Sequence, residues 1–265
     1  MTRTMPLSAS LALAWSLLLT LGLVTSAILV ATLFGGGNLA VVMAGPAELL
    51  LMGPAAVLLA RLYGDADRRR ALALAPASPL ELLIGGSLGV ILHLPTGYLS
   101  ELVERRFPTP RNVLDAQLHA LTPSSPLMAA LMLLSVAAIV PFAEELYFRG
   151  ALFTPLLRSG PAFVATWTTS IAFAIAHQEP RNWGPLLVVA LVLAELRRLG
   201  GSIWSGVALH AAFNAATLVM VFVERPTEIK PQTGAWQLAV LGGALTVAGV
   251  WLFARVAGRR QGTVR

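Results

Sequence analysis

Residues 126–157 read PLMAALMLLSVAAIVPFAEELYFRGALFTPLL, and this run decides the fold. It exceeds the roughly 20 apolar residues that a helix needs to cross the hydrocarbon core. It also holds Glu144, Glu145 and Arg149 near its middle. An ionised group in a membrane helix costs about 2.5–3.5 kcal/mol on insertion scales, so such residues mark bundle interiors and functional sites.

Working outward, seven more apolar stretches lie at about 8–34, 38–62, 79–98, 161–178, 183–197, 202–223 and 235–256. The composition agrees, with 56% hydrophobic and 12% charged residues and a mean hydropathy of +0.74. Soluble domains carry about 25% charged residues. We therefore expect an all-α, polytopic membrane helix bundle of about eight transmembrane helices. Residues 1–265 form a single integral membrane domain, with the motif-bearing core at about 126–223. The first apolar run is longer than the roughly 7–15 residues of a signal-peptide core and reads as a retained helix.

The chain has no cysteine, which excludes disulfides, thiolate ligands and cysteine nucleophiles. The net charge is +6 and almost wholly arginine. On a membrane protein this points to cytoplasmic loops, not to nucleic acid. Eight spans place both termini on one side. With the termini inside, the inner segments hold Arg3, Arg61, Arg68, Arg69, Arg70, Arg158, Arg197, Arg198, Arg255, Arg259, Arg260 and Arg265. The outer ones hold Arg105, Arg106, Arg111, Arg181, Arg225 and Lys230. Twelve against six favours cytoplasmic termini. The alanine, arginine and glycine bias suggests a GC-rich bacterial genome, and the expected location is the bacterial inner membrane.

Loop 99–125 contains ELVERRF and NVLDAQLHAL, both with apolar residues at helical spacing and separated by Pro108 and Pro110. These read as interfacial helices that guard an entrance or simply connect. Arg68, Arg69 and Arg70 read as a topology signal. Glu195 with Arg197 and Arg198 reads as an interfacial charge cluster. His93 is placed near the outer end of the third helix. Glu48, beside Gly45 and Pro46, is a candidate partner for Arg149 or a cavity-lining residue.

The chemistry concentrates on three helices. Glu145 and Arg149 are four residues apart and share a face, so Arg149 is assigned to Glu145. Adjacent residues point about 100° apart, which leaves Glu144 to face a cavity. The fifth stretch carries Phe173 and His177. The seventh carries His210 and Asn214, again on one face. Glu144 lies fifteen residues before Ser159, and His177 lies seventeen after Gly160. Both are therefore roughly 22–26 Å from the turn between their helices, and level with each other. His210 and Asn214 sit roughly 14–20 Å from the Gly200–Gly201 turn. A carboxylate that takes a proton from water, a histidine that holds the water and two donors for an oxyanion make a peptidase without a nucleophilic side chain.

Glu144-Glu145-x-x-x-Arg149, Phe173-x-x-x-His177 and His210-x-x-x-Asn214, in this order on membrane helices, resemble the three motifs of the CAAX protease and bacteriocin-processing family of intramembrane proteases. That family includes the type II CAAX prenyl endopeptidases. The resemblance covers about 126–223. It implies an intramembrane endopeptidase acting on a membrane-associated peptide or protein. It also implies that Glu144 and His177 activate water, His210 and Asn214 form the oxyanion hole, and Glu145 and Arg149 support the first motif. No cofactor is required on this reading. Zinc held by Glu144, His177 and His210 is the alternative, although no His-Glu-x-x-His run is present. A non-catalytic scaffold and an ion-coupled carrier are the rival classes. Carriers show paired repeats with broken helices, which this sequence lacks.

Overall fold

A computed structural model describes residues 5–224 and 235–262. Arg3, Arg225, Lys230 and Arg265, which entered the charge count, lie outside the described residues. Local sequence explains most helix limits. Helix α1 (Ala9–Phe34) is capped by the Ser8 hydroxyl, which accepts from the Leu11 amide, and it ends at Gly35 with φ 75°. That backbone conformation suits glycine, which has no Cβ to clash. Helix α2 (Asn38–Tyr63) contains Pro46 and Pro54. Helix α3 (Pro79–Arg106) starts with a capping box between Ser78 and Glu81. Its regular pattern breaks at Leu92. Pro95 supplies no N–H to the Ile91 carbonyl and crowds it, which accounts for the break.

Helix α4 is Arg111–Leu121, and α5 is Pro126–Ser159. Helix α6 (Ala162–Ala176) is followed by α7 (Trp183–Gly200), α8 (Trp204–Glu224) and α9 (Ala235–Gly262). Among the described residues, six helices are long and apolar enough to cross a membrane: α1, α2, α3, α5, α8 and α9. The expected polytopic helical bundle is present. The other two expected spans differ in kind. Helix α6 has 15 residues, so it rises only about 22 Å against a hydrocarbon core of about 30 Å. Helix α7 carries Glu195, Arg197 and Arg198 within its 18 residues. These two helices pack against each other, and α6 also packs against α1.

The expected interfacial pair in loop 99–125 takes a different form. The first segment is not separate, because α3 continues to Arg106. The second is α4, whose C-terminal end is held by Asn38. The Asn38 amide donates to the carbonyls of Ala120 and Thr122.

Helix α5 holds the centre of the fold. Two of its segments, Ser135–Ile139 and Leu146–Leu152, are π-helical. Such wider turns free backbone carbonyls and recur at functional sites. Pro141 adds a second cause at the first of them. It has no N–H to give the Val136 carbonyl five residues back. Helix α2 closes on this stretch through Gly45, whose amide donates to Ser135 Oγ at 3.1 Å. A Cβ on Gly45 would stand 2.9 Å from the Ser135 carbonyl oxygen. The close approach therefore requires glycine.

Candidate active site

Glu144 and Glu145 immediately precede the second π-helical stretch of α5. All seven residues of Leu146–Leu152 are buried, Arg149 among them. Arg149 Nη1 lies 3.3 Å from Glu145 Oε1, as the four-residue spacing predicts. Arg149 Nη2 donates to the Ala190 carbonyl of α7 at 3.1 Å. Its guanidinium also lies 4.5 Å from the centre of the Phe173 ring. Removing one member of so buried a pair leaves the other charge uncompensated.

Glu144 is only 6% exposed and faces both histidines. His177 Nε2 stands 3.8 Å from Glu144 Oε1, and His210 Nε2 stands 3.5 Å from Glu144 Oε2. The other His210 nitrogen, Nδ1, is 3.5 Å from Glu145 Oε1. One imidazole thus bridges the two adjacent glutamates. Phe173 separates the histidines, with its ring centre 4.7 Å from that of His177 and 5.7 Å from that of His210. The helix register expected from the sequence, with Glu144 and His177 level, is the one observed.

His177 sits at the C-terminal end of α6. Its Nδ1 lies 2.9 Å from the Phe173 carbonyl, which sets the ring's direction and leaves Nε2 for Glu144. The next residue, Gln178, adopts φ 59° and turns the chain away. The short α6 thereby ends at the site, and His177 stays partly exposed while Glu144 is shut in.

Asn214 is one turn from His210, and among the described residues no hydrogen bond links it to a glutamate. Its amide donates to the Val136 carbonyl at 2.9 Å, the acceptor that Pro141 leaves open. An asparagine amide has two N–H donors, so this bond orients the group and still leaves one for a ligand.

The distances of 3.3–3.8 Å exceed those of hydrogen bonds. Glu144 Oε2, both carboxylate oxygens of Glu145, Arg149 Nε and Nη1, and His210 Nδ1 are buried with no hydrogen-bond partner. Each unpaired polar atom of this kind costs about 1–3 kcal/mol. Their concentration at one point sets this cluster apart from the apolar core around it.

Several contributors were not legible as such. Arg197, read as part of an interfacial cluster, is buried and points inward. Its Nε donates to the Arg149 carbonyl at 3.0 Å, and its Nη2 donates to Thr154 Oγ1 at 3.0 Å. Only Glu195 and Arg198 form the surface pair, at 2.7 Å from Nε. Gly206 of α8 gives the Glu145 carboxylate its room, since a Cβ there would lie 2.7 Å from Oε2. Glu48 lies on α2, which packs against the segment of α5 that carries Glu144. Its Oε2 is buried and unpaired. No contact between Glu48 and Arg149 is formed among the described pairs.

A zinc site of the expected kind needs three ligating side chains converging on one ion. Among the described residues, no three His, Asp or Glu side chains converge in a metal-holding arrangement.

Residues 126–216 match the family model for type II CAAX prenyl endopeptidase Rce1-like proteins. Searches of curated proteins and of solved structures return no match. The matched segment spans all three motifs, from Glu144 to Asn214, and coincides with the resemblance read from them. Residues 126–216 are thus similar to CAAX-type proteases, and six helices of the described chain are long and apolar enough to cross a membrane.

Proposed function

We propose that this protein is an intramembrane endopeptidase that hydrolyses a peptide bond of a membrane-associated substrate, with water activated by Glu144. One observation carries the reading. Glu144 is a buried carboxylate set between two histidines, with one oxygen left unpaired.

In this mechanism Glu144 takes a proton from a water held beside His177 Nε2. The water oxygen bonds to the scissile carbonyl carbon, and the carbonyl oxygen takes up negative charge. His210 Nε2 and the free Asn214 N–H donate to that oxyanion. Glu145 lies beside His210 Nδ1 and Arg149 holds Glu145, so the ring is oriented before the reaction starts, and donation from both ring nitrogens uses the imidazolium form. Glu144 then gives its proton to the amide nitrogen as the C–N bond breaks. The products are a carboxylic acid and an amine. Contacts of 3.5–3.8 Å are loose for catalysis and tighten when a substrate fills the site. The metal-free course is part of the proposal. A chelator leaves cleavage intact, and inhibition by a chelator reversed by zinc would replace this chemistry with a Lewis-acid one.

The decisive test is Glu144→Gln in the intact membrane protein. Cleavage falls by about 10²–10⁴-fold, the range for losing a general base, while insertion and melting temperature hold. Comparing membrane peptides from wild-type and variant cells by mass spectrometry then reports the substrate. Unchanged cleavage in the variant sinks the mechanism.

We also propose that the α5–α6 turn faces the cytoplasm of a bacterial inner membrane. Arg61, Arg68, Arg69, Arg70 and Arg158 crowd that end of the bundle. The lack of native cysteine makes the test direct. A cysteine placed at Asp67 reacts with a membrane-impermeant maleimide only after the cells are opened.

A further inference from the structure

A cavity of about 710 Å³ lies beside the proposed site without containing its four side chains. Ligand sites typically measure about 300–1,000 Å³. The α3 wall of the cavity runs from His93 to Glu104, about 16 Å along the helix axis. Its inner end is marked by His93, whose ring stacks on Phe213 at 4.1 Å. Phe213 immediately precedes Asn214. The segment that follows His177 contributes Glu179 and Arg181 to the same cavity. The space therefore starts at the level of the oxyanion-hole residues and runs toward the end of the bundle.

Its lining mixes two chemistries. Helices α8 and α9 present Phe213, Met220 and Leu238. Helix α3 and the segment after α6 present Glu101, Glu104 and Glu179, with Arg181 the one cationic side chain among the cavity's described lining residues. Glu104 accepts from the amide and hydroxyl of Thr109, both at 2.7 Å. Glu179 takes the fork of Arg181 at 2.9 and 3.0 Å, which holds its carboxyl below the ordinary range. Glu101 meets the outward-lying Arg105. These bonds hold the carboxylates in place, and three carboxylates against Arg181 and the Arg105 that pairs with Glu101 leave the wall one charge negative.

We propose that this cavity is a substrate subsite that takes an extended polypeptide segment with apolar side chains on one face and a basic side chain on the other. It rests on the peptidase reading above. At about 3.3 Å per residue, the length holds about five residues of extended chain. The apolar face lies along α8 and α9, and the arginine or lysine meets Glu101 and Glu104. The same carboxylates disfavour a lipid phosphate. The substrate is thereby a membrane-associated polypeptide with a basic residue within about five positions of the cut.

The test uses the full-length Glu144→Gln protein in neutral phosphatidylcholine nanodiscs, where turnover is removed. The probes are two fluorescent leucine-rich pentapeptides, one with two arginines and one with two glutamates. The basic peptide binds roughly tenfold tighter, which corresponds to about 1.4 kcal/mol. Adding Glu101→Gln and Glu104→Gln reduces that preference to less than about threefold. Gly97→Leu serves as a fold-preserving block. A Cβ at Gly97 meets nothing within 4 Å, so the side chain enters the cavity, abolishes binding of the basic peptide and leaves the melting temperature unchanged. Equal binding of the two peptides overturns the subsite, as does unaltered binding in Gly97→Leu or displacement by anionic lipid alone. Wild-type protein given the same peptides separates the two readings. Charge-selective binding without cleavage removes the peptidase and keeps the peptide site. Cleavage without charge preference removes the subsite alone.

Discussion

Helix α1 and the middle of α5 are both helical and mostly apolar, yet they are buried in opposite ways. Along α1 only Ala12, Ser16 and Leu19 are buried, while Leu17, Leu18, Leu21, Ile28, Leu29 and Leu33 are exposed. Along Leu146–Leu152 every residue is buried, and one of them is an arginine. The difference follows from the solvent. Lipid tails accept leucine as readily as a protein core does, so hydrophobicity does not pull a leucine inward. Charge cannot face the tails, so charge selects the interior. Small and aromatic residues then fill the space around it. Gly45, Gly150 and Gly206 meet neighbouring backbone or carboxylate, and Phe148 and Phe173 enclose Arg149.

Substitutions can break this contrast. The largest effect expected on folding is at Arg149. Arg149→Met strands the buried Glu145 charge and costs about 3–5 kcal/mol, read as a fall in thermal or denaturant stability in nanodiscs. A stable variant would mean that the charged interior is dispensable. Asn214→Ala is next. It removes one oxyanion donor, with kcat falling about 10²–10³-fold, and it also leaves the Val136 carbonyl unpaired. If stability falls while kcat holds, Asn214 is only a clamp on the α5 bend. Gly45→Val tests the close approach of α2 and costs about 1–3 kcal/mol through overpacking against Ser135. The smallest effect belongs to α1. Leu21→Ala, at a residue 66% exposed, stays within about 0.5 kcal/mol. A loss as large as that at Arg149 would end the contrast.

The same physics explains which parts of the site were legible. Glu145 and Arg149 could be paired from spacing alone, because residues four apart share a helix face whatever surrounds them. The depth match of Glu144 with His177 came from counting residues to a shared turn. The Asn214 bond was less accessible. It needs both Pro141 and a π-helical turn, and neither spacing nor composition announces the turn. His177 sits at a helix end, as its neighbours Gln178, Glu179 and Pro180 suggest, and also within the site. The two positions coincide because α6 is too short to cross the membrane and stops at the site.

Arginines 197 and 198 show the limit most clearly. They are neighbours of one charge on one helix, and their side chains point about 100° apart. Arg197 reaches the Arg149 carbonyl, and Arg198 reaches Glu195 at the surface. The amino-acid sequence by itself determined the membrane class, the helices, their capping and the pairing of Glu145 with Arg149. Each of these depends on local composition or on a spacing within one helix. The tertiary structure alone decided how each helix is turned about its axis. It thereby decided that Arg197 lies inside, that His210 bridges two glutamates and that Asn214 bonds α5. Helical spacing fixes angles between residues of one helix but leaves their common rotation free. In a bilayer no apolar stripe sets that rotation, so contacts between helices must.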